Sequence, residues 1–289
     1  MSSVALPTKW ITPEEQLYRL TVPMNENRDE PQKTFDVPEK VMIECLIPSV
    51  LERSNQKIPS LRDLAAEHLL SPPLTTWYKA LKVIKKLPDK IPPLPRDIHN
   101  ILNSQCPEQI CSTVKPDGTV YTVGDKCTLM LIPESLQNIN QFAGIVRSCD
   151  INPFLNFDHS VRLEHANLPF ESTHWVLHTN DVLENSQNTT YLQQVQLVHS
   201  LAQKTIVDWQ VPRLHDTIAT IFLKKIATGD SLYPGGNEQN GNRYSYTHVR
   251  ERTNEYRLIV GGFVPNGLQI QEHVTSTDKD VGVAVLLKF

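Results

Sequence analysis

The stretch HWVLHTNDVLENSQNTTYLQQVQLVHSLAQK, residues 174–204, places two kinds of secondary structure in immediate succession. Its first six residues are rich in aromatic and β-branched side chains, which favours a strand. The polar segment that follows predicts a turn, and residues 188–204 predict a helix. A strand that leads within a few residues into a helix indicates a chain that mixes both kinds of element.

Upstream of this stretch, residues 1–95 predict short helices punctuated by prolines. Two of the three clearest segments begin with a capping residue, Thr12 or Ser60, and the third is amphipathic, with its lysines largely away from the apolar face. These helices are predicted at 11–20, 60–70 and 75–87. We therefore divide the chain into a helical N-terminal region, 1–90, and a second domain, 91–289.

Downstream, the pattern changes towards strands. Residues 106–132 predict a strand or hairpin with Pro116, Asp117 and Gly118 as its turn, and Gly229 ends a long helix at 212–228. Further predicted elements are a helix at 133–149, a strand at 242–252, a hairpin at 255–271 and a strand at 281–289. Helices come first, mixed elements follow and the antiparallel, strand-rich end comes last, an order that favours the α+β class.

The composition excludes several classes of function. The chain has 289 residues, of which 39% are hydrophobic and 21% charged, as in an ordinary globular protein. Its net charge of −4 lacks the basic excess of a nucleic-acid binder. No signal peptide is visible, and no apolar run approaches the ~20 residues that span a bilayer. We therefore expect a cytoplasmic protein that neither binds nucleic acid nor inserts into a membrane.

The cysteines form neither a disulfide framework nor a metal cluster. There are five of them, which are Cys45, Cys106, Cys111, Cys127 and Cys149. An odd, loosely spaced set indicates reduced thiols that pack as small hydrophobic side chains. The spacing Cys-x4-Cys at 106–111 lacks the second pair that a zinc site needs. The sequence therefore predicts no metal and no cofactor.

The two histidines of the strand cannot share a metal ion. Side chains alternate along a strand, so His174 and His178 lie on one face and Trp175 lies on the other. Four residues of strand separate the two imidazoles by roughly 13 Å, far more than two zinc–nitrogen bonds can bridge. One of these histidines can still act as a general base.

A cysteine beside such a histidine would make a hydrolase. In this hypothesis Cys106 or Cys127 is the nucleophile, His174 or His178 is the base, and Asp181 orients the base. The competing interpretation is a structural strand whose polar atoms satisfy neighbouring loops, with Asp181 accepting backbone N–H groups in a turn. The sequence alone leaves both interpretations open.

Two glycine-rich segments invite a ligand-binding interpretation. Residues 228–244 contain four of the eleven glycines but no phosphate-loop motif, so they predict a surface loop. Gly261 and Gly262 interrupt a strand pattern, which predicts a bulge or a close approach of another backbone.

Four motifs together resemble a known family. LPRDIHNILNSQCP (94–107), THWVLHTNDVLENSQNTTYLQQVQLV (173–198), EYRLIVGGFVPNGLQI (255–270) and VGVAVLLKF (281–289) resemble an uncharacterised family of bacteria that live inside amoebae. Members are often encoded beside host-like interaction domains. Where the family has a basic SRNK, this chain has SQNT at 186–189, which removes two cationic side chains. The resemblance covers 91–289 and implies a host-directed lifestyle but no reaction.

A second resemblance is confined to LPRDIHNIL, residues 94–102. It is similar to the opening helix of an F-box, a module that docks on ubiquitin-ligase adaptors, in its Leu94-Pro95 start and in the apolar Ile98, Ile101 and Leu102. The segment that follows predicts a turn and a strand where an F-box has two more helices.

These observations predict an effector-like protein-interaction module, a host-directed factor of an intracellular bacterium that binds a protein partner. It would act in the cytoplasm or be delivered to a host cytosol. Two alternatives stay open: a Cys-His hydrolase of peptide or isopeptide bonds, and a structural or assembly subunit. The oligomeric state is left open.

Overall fold

The computed structural model describes residues 72–205, 207–233, 245–264 and 266–289. The helices predicted at 11–20 and 60–70 lie outside these residues, as does most of the glycine-rich segment. The helices are α1 (Pro72–Val83), α2 (Ile98–Asn103), α3 (Val123–Lys126), α4 (Ile139–Arg147), α5 (His159–His165), α6 (Tyr191–Lys204) and α7 (Leu214–Thr228), with one 3-10 turn at Glu134–Leu136. The strands are β1 (Cys127–Ile132), β2 (Phe154–Phe157), β3 (His174–Thr179), β4 (Tyr246–Arg252), β5 (Arg257–Val264), β6 (Gly267–His273), β7 (Val281–Gly282) and β8 (Leu286–Lys288).

A three-stranded antiparallel sheet lies at the centre of the core. Strand β3 is its middle strand, with β1 on one side and β8 on the other. Every residue of β1 and β3 is buried, so both faces of the sheet are covered. Helices α1 and α7 pack against each other and against β1, and Trp77 meets Trp175 edge to face at 5.2 Å. This double cover explains why β1 is almost continuously apolar, whereas β3 buries His174, His178 and Thr179 beside its apolar residues.

The second sheet has five strands in the order β2-β6-β5-β4-β7. The predicted hairpin of 255–271 forms its middle as β5 and β6, and β4 pairs antiparallel with β5. Two short edge strands, β2 and β7, run parallel to their neighbours. Helices and antiparallel sheets thus occur in the predicted order, and the α+β class is confirmed.

The last nine residues depart from the prediction of a single strand. They form two short strands in different sheets, β7 in the five-stranded sheet and β8 in the three-stranded one. Between them, Ala284 donates its N–H to Thr247 Oγ1 at 2.8 Å, and Val285 donates to Thr179 Oγ1 at 3.1 Å. Threonine hydroxyls replace the strand ladder here, which allows the chain to cross between the sheets inside the core.

The helix predicted at 133–149 is also interrupted. Gln137 has a positive φ of 69° with ψ −76° between the 3-10 turn and α4, and Asn138 donates its N–H to the Leu136 carbonyl at 3.0 Å, as in a γ-turn. Asn138 then caps α4 by accepting a hydrogen bond from the N–H of Gln141 at 2.9 Å. An asparagine cap starts a new helix more readily than it continues an old one, because its side chain competes for backbone N–H groups.

The prediction that another backbone approaches Gly261 closely, or that the strand bulges there, is confirmed. A Cβ atom on this residue would lie 2.3 Å from the carbonyl oxygen of Ser245 and 2.7 Å from the Cα of Tyr246. The pairing of β5 with β6 also shifts register between Gly261 and Val264, as a bulge does.

The proposed boundary at residue 90 stays a prediction. Helix α1 lies within the region 1–90, yet its buried residues, such as Trp77 and Leu81, belong to the same core cluster as β1 and β3. The rest of that region lies outside the described residues. None of the helices in the described ranges is both long and apolar enough to cross a bilayer.

Candidate functional site

Polar side chains gather where β3 ends and β1 begins. Because the two strands are antiparallel, Thr128 at the start of β1 lies directly opposite His178. Lys224 approaches from the last turns of α7, and Tyr233 returns to the same place by donating its N–H to the Asn180 carbonyl at 3.0 Å. We call Thr128, His178, Asn180, Lys224 and Tyr233 the strand-end cluster.

Asn180 is the centre of this cluster. Its Oδ1 accepts hydrogen bonds from Thr128 Oγ1 at 2.6 Å and from Lys224 Nζ at 2.8 Å. Its own N–H donates to the carbonyl of Lys126 at 2.8 Å. Hydrogen bonds to the backbone N–H, the backbone carbonyl and the side chain of Asn180 fix its side-chain amide. The Lys224 amine that donates to this amide therefore has a defined position.

Lys224 differs from an ordinary surface lysine. In the described part of the chain it forms no ion pair with a carboxylate, and its only hydrogen-bond partner is the neutral Asn180 amide. Burial lowers the pKa of Lys224, while the charges of Asp230 and Cys127 act in the opposite direction. The site therefore favours the uncharged amine more than water does.

His178 is held between two oxygen atoms. Its Nδ1 donates to the Thr179 carbonyl at 2.8 Å, and its Nε2 accepts from the Tyr233 hydroxyl at 3.2 Å. The ring is fully buried, and this burial lowers its pKa to about 4, so it is neutral at pH 7. Both ring nitrogens are thereby occupied, Nδ1 by the backbone carbonyl of Thr179 and Nε2 by the Tyr233 hydroxyl.

His174, at the other end of β3, has different partners. Its ring lies between the Ser172 carbonyl at 2.6 Å and Asp216 Oδ1 at 3.1 Å. Asp216 is buried on α7, and its second oxygen, Oδ2, has no hydrogen-bond partner. Sequence reasoning missed this aspartate, although an aspartate within the apolar run of α7 was the signal that could have revealed it.

The structure places both proposed nucleophiles in the core. Cys127 is buried opposite Thr179, and burial raises its pKa well above the usual value for a thiol. For Cys106, burial and the neighbouring Cys111 raise the pKa to about 12. Among the described residues no cysteine sulfur hydrogen-bonds to a histidine, which is the contact that the hydrolase hypothesis needs.

Asp181 lies on the exposed turn after β3. Its Oδ1 accepts a hydrogen bond from the N–H of Val182 at 2.8 Å, and desolvation raises the pKa of its carboxyl group. No hydrogen bond joins it to His174 or His178, whose partners are those given above. Its geometry is that of a residue that accepts backbone N–H groups in a turn.

Cys111, which the hypothesis did not include, is the more reactive thiol by environment. It is half-buried, and its sulfur lies 3.3 Å from Thr113 Oγ1. Partial burial raises its pKa, but hydrogen bonds with Thr113 and the positive charge of Lys126 outweigh burial, so the net shift is downward. A thiol of this kind ionises more readily than a buried one.

A second polar cluster, which the sequence did not predict, joins β4 to β6. His248 Nδ1 lies 2.7 Å from Gln194 Oε1, and His248 Nε2 lies 3.0 Å from His273 Nδ1. Because the Gln194 amide nitrogen donates to the Ser186 carbonyl at 3.0 Å, its oxygen must accept from His248. Burial, with the nearby His273 and Arg257, lowers the pKa of His248 to about 3, so its ring is neutral at pH 7, carries its hydrogen on Nδ1 and accepts a hydrogen bond from His273 at Nε2.

Within the described ranges, no group of three or more histidine, cysteine, aspartate or glutamate side chains could hold a metal ion. Comparison of the chain with protein-family models, curated proteins and solved structures finds no significant match.

Proposed function

We propose that this protein is a protein-interaction module, a host-directed factor that binds a host protein through an exposed hairpin at residues 112–120. The observation that carries the proposal is a pair of exposed aliphatic side chains on that hairpin. Val114 and Val120 are directly opposite each other in an antiparallel bridge, and they are 57% and 48% exposed. Residues directly opposite each other in an antiparallel pair have Cβ atoms about 5 Å apart, so the two valines present one apolar spot.

The hairpin is held in one shape. Lys115 donates its N–H to the Thr119 carbonyl at 2.8 Å, and Asp117 Oδ1 accepts the N–H of Thr119 at 2.9 Å. Lys115 also forms an ion pair with Asp125 at 2.8 Å, which ties the hairpin to α3. A loop already ordered loses less conformational entropy when it binds, which favours affinity.

The base of the hairpin is attached to the loop that follows β3. Ser112 donates its N–H to one oxygen of Glu184 at 2.8 Å and its hydroxyl to the other at 2.6 Å. The hairpin therefore projects from a rigid base. Two exposed valines on a rigid projection lose apolar accessible surface when a partner covers them, and that burial favours binding.

The resemblance to proteins of amoeba-dwelling bacteria supports a host protein as the partner. It also supports the expectation that the protein reaches a host cytosol. Neither the hairpin nor the resemblance favours a nucleic acid or a lipid surface as the ligand.

Affinity purification from an amoebal lysate, followed by binding measurements with the identified and purified partner, tests this function. The double variant Val114→Ser/Val120→Ser should bind about 30-fold more weakly, since each lost valine contact is worth roughly 1 kcal/mol. The matched control is Leu163→Ser/Val274→Ser, which alters two side chains exposed by 69% and 67% elsewhere. Equal binding of the wild type and the hairpin variant would exclude the hairpin as the binding surface.

The same material tests the role of a structural or assembly subunit. If the lysate holds no stoichiometric partner and the purified chain forms a large homo-oligomer at micromolar concentration, the assembly role replaces the proposed one. A monomer that binds a single host protein supports the interaction module.

A further inference from the structure

We propose that Lys224 is a nucleophilic amine that captures the carbonyl group of an aldehyde or ketone as a Schiff base. This activity belongs to the strand-end cluster and does not depend on the hairpin. Three features support the proposal. The amine of Lys224 has a fixed position, its hydrogen-bond partner is neutral, and the adjacent Lys225 has a different partner.

The amine is fixed by a partner that is itself fixed. Asn180 Oδ1 receives Lys224 Nζ at 2.8 Å and Thr128 Oγ1 at 2.6 Å, while the backbone of Asn180 bonds to Lys126 and Tyr233. An amine that donates one N–H to this oxygen directs its lone pair away from it. The nucleophilic electrons therefore point out of the hydrogen-bonded centre of the cluster.

The surroundings favour an uncharged amine. A lysine usually gains a carboxylate partner when it is partly buried, because an ammonium ion without one is costly to desolvate. The hydrogen-bond partner of Lys224 is a neutral amide, and burial lowers the pKa of the amine. Neutral amines attack carbonyl carbons, whereas ammonium ions do not.

Lys225 provides a contrast within the same helix. Its Nζ donates to the carbonyl of Gly229, just past the C-terminus of α7. The two consecutive lysines thus have different hydrogen-bond partners, the Asn180 amide for Lys224 and a backbone carbonyl for Lys225, and Lys225 is the control residue in the same protein.

The reaction balances without any further reagent. The lone pair of Lys224 Nζ attacks the carbonyl carbon, and a proton moves from nitrogen to oxygen to give a carbinolamine. The carbinolamine loses its hydroxyl group together with the second N–H hydrogen as one water molecule. The product is an imine between Nζ and the former carbonyl carbon.

Reductive trapping of the full-length protein tests the proposal. The protein is treated briefly at pH 7 with propionaldehyde and sodium cyanoborohydride, and chymotryptic peptides are analysed by tandem mass spectrometry. We expect modification of Lys224 to be about tenfold faster than that of Lys225, since a lowered pKa enlarges the neutral fraction. Equal or slower modification of Lys224 would overturn the proposal.

A near-isosteric variant of Asn180 tests whether Lys224 reacts because of its neutral partner or only because its amine is accessible. Asn180→Asp places a carboxylate beside the ammonium ion, so trapping at Lys224 should fall at least about fivefold while trapping at Lys225 stays unchanged. Lys224→Arg keeps a donor for Asn180 and should abolish trapping at this position. If Asn180→Asp traps as fast as the wild type, the neutral amide is not the cause and the proposal fails.

Two readouts with the wild type remain decisive even if a variant does not fold. The trapping rate at Lys224 should level off below the ordinary pKa of a lysine amine, because the rate follows deprotonation of the amine and burial lowers the pKa of Lys224. The second readout is acetylation by acetyl phosphate. If Lys224 is acetylated but does not trap propionaldehyde, the amine accepts acyl groups rather than aldehydes or ketones, and the proposal is overturned.

Discussion

At the scale of single residues, burial decides which cysteine can react. Cys106 and Cys127 are sealed in the core with raised pKa values, whereas Cys111 is half-exposed and has a lowered one. A thiolate is the reactive form, and it needs both ionisation and access. The sequence could not distinguish the five cysteines in this way, because neither the ionisation of a thiol nor its solvent access can be read from cysteine spacing.

Iodoacetamide should therefore label Cys111 before Cys106 and Cys127 at neutral pH. We expect a difference of at least about 100-fold in rate, since burial suppresses both ionisation and access. Peptide mapping over a time course measures the rates, and Cys111→Ser is the control that removes the fast site. Fast labelling of Cys127 in the folded protein would contradict this prediction and support the Cys-His hydrolase hypothesis.

The contact between His174 and Asp216 makes a second prediction at this scale. Replacing His174 with alanine leaves a buried carboxylate without its imidazole partner, and Asp216 Oδ2 already has none. We expect the free energy of unfolding to fall by about 3–5 kcal/mol, as when one member of a buried pair is removed. Urea unfolding measures the change.

The control for this prediction is His199→Ala on α6, because His199 is exposed and its ring hydrogen-bonds to the exposed Gln203. Its effect should stay within about 0.5 kcal/mol. A loss of less than about 1 kcal/mol in His174→Ala would mean that water or a neighbouring donor replaces the imidazole at little cost.

At the scale of elements, histidines connect strands and helices that are distant in the chain. His248 on β4 reaches His273 on β6 across β5, and through Gln194 it also holds the first turns of α6. His178 connects β3 to Tyr233 beyond α7 in the same manner. These contacts require neutral rings, so the packing of the elements depends on pH.

Acidification should therefore destabilise the fold between about pH 6.5 and pH 4. Burial lowers the pKa of His178 to about 4 and that of His248 to about 3, from an ordinary value of 6.5. Protons then bind the unfolded chain first, so the stabilisation is complete above pH 6.5 and is lost as pH falls towards the folded pKa values. At pH 5 each histidine should contribute about 2 kcal/mol less than at pH 7.5.

Urea unfolding at pH 7.5 and pH 5 measures this loss. His248→Gln removes one of the two titrating histidines. Its free energy of unfolding should therefore fall by about 2 kcal/mol less between pH 7.5 and pH 5 than that of the wild type. The charged groups that act on His248 are His273 and Arg257, and those that act on His178 are Asp216 and Lys224. An unchanged pH dependence in His248→Gln would contradict the assignment.

At the scale of the whole molecule, the last nine residues join the two sheets. Strand β7 ends the five-stranded sheet, β8 ends the three-stranded sheet, and Val283, Ala284 and Val285 between them are fully buried. The hydroxyls of Thr179 and Thr247 receive two of the N–H groups in this crossing. The two sheets should therefore unfold together rather than one after the other.

Ala284→Asp should abolish the cooperative unfolding transition of both sheets. An aspartate at this fully buried position would place an unpaired charge between them, at a cost that exceeds several kcal/mol. Near-ultraviolet circular dichroism and urea unfolding measure the outcome. Val274→Asp, at a residue that is 67% exposed, is the matched control and should change the stability by less than about 0.5 kcal/mol. Native-like cooperativity in Ala284→Asp would show that the crossing is not part of a shared core.

The sequence by itself determined the elements whose patterns are local. The strand at 174–179, the helices α6 and α7 and the hairpin of β5 and β6 were all predicted, because periodicity and turn residues act over a few positions. It did not determine that residues 281–289 divide between two sheets, since the hydroxyl that receives the N–H of Val285 lies 106 residues away. Nor did it distinguish Lys224 from Lys225, or predict that His174 hydrogen-bonds to Asp216. Those properties come from burial and from partners distant in the chain, which only the tertiary structure brings together.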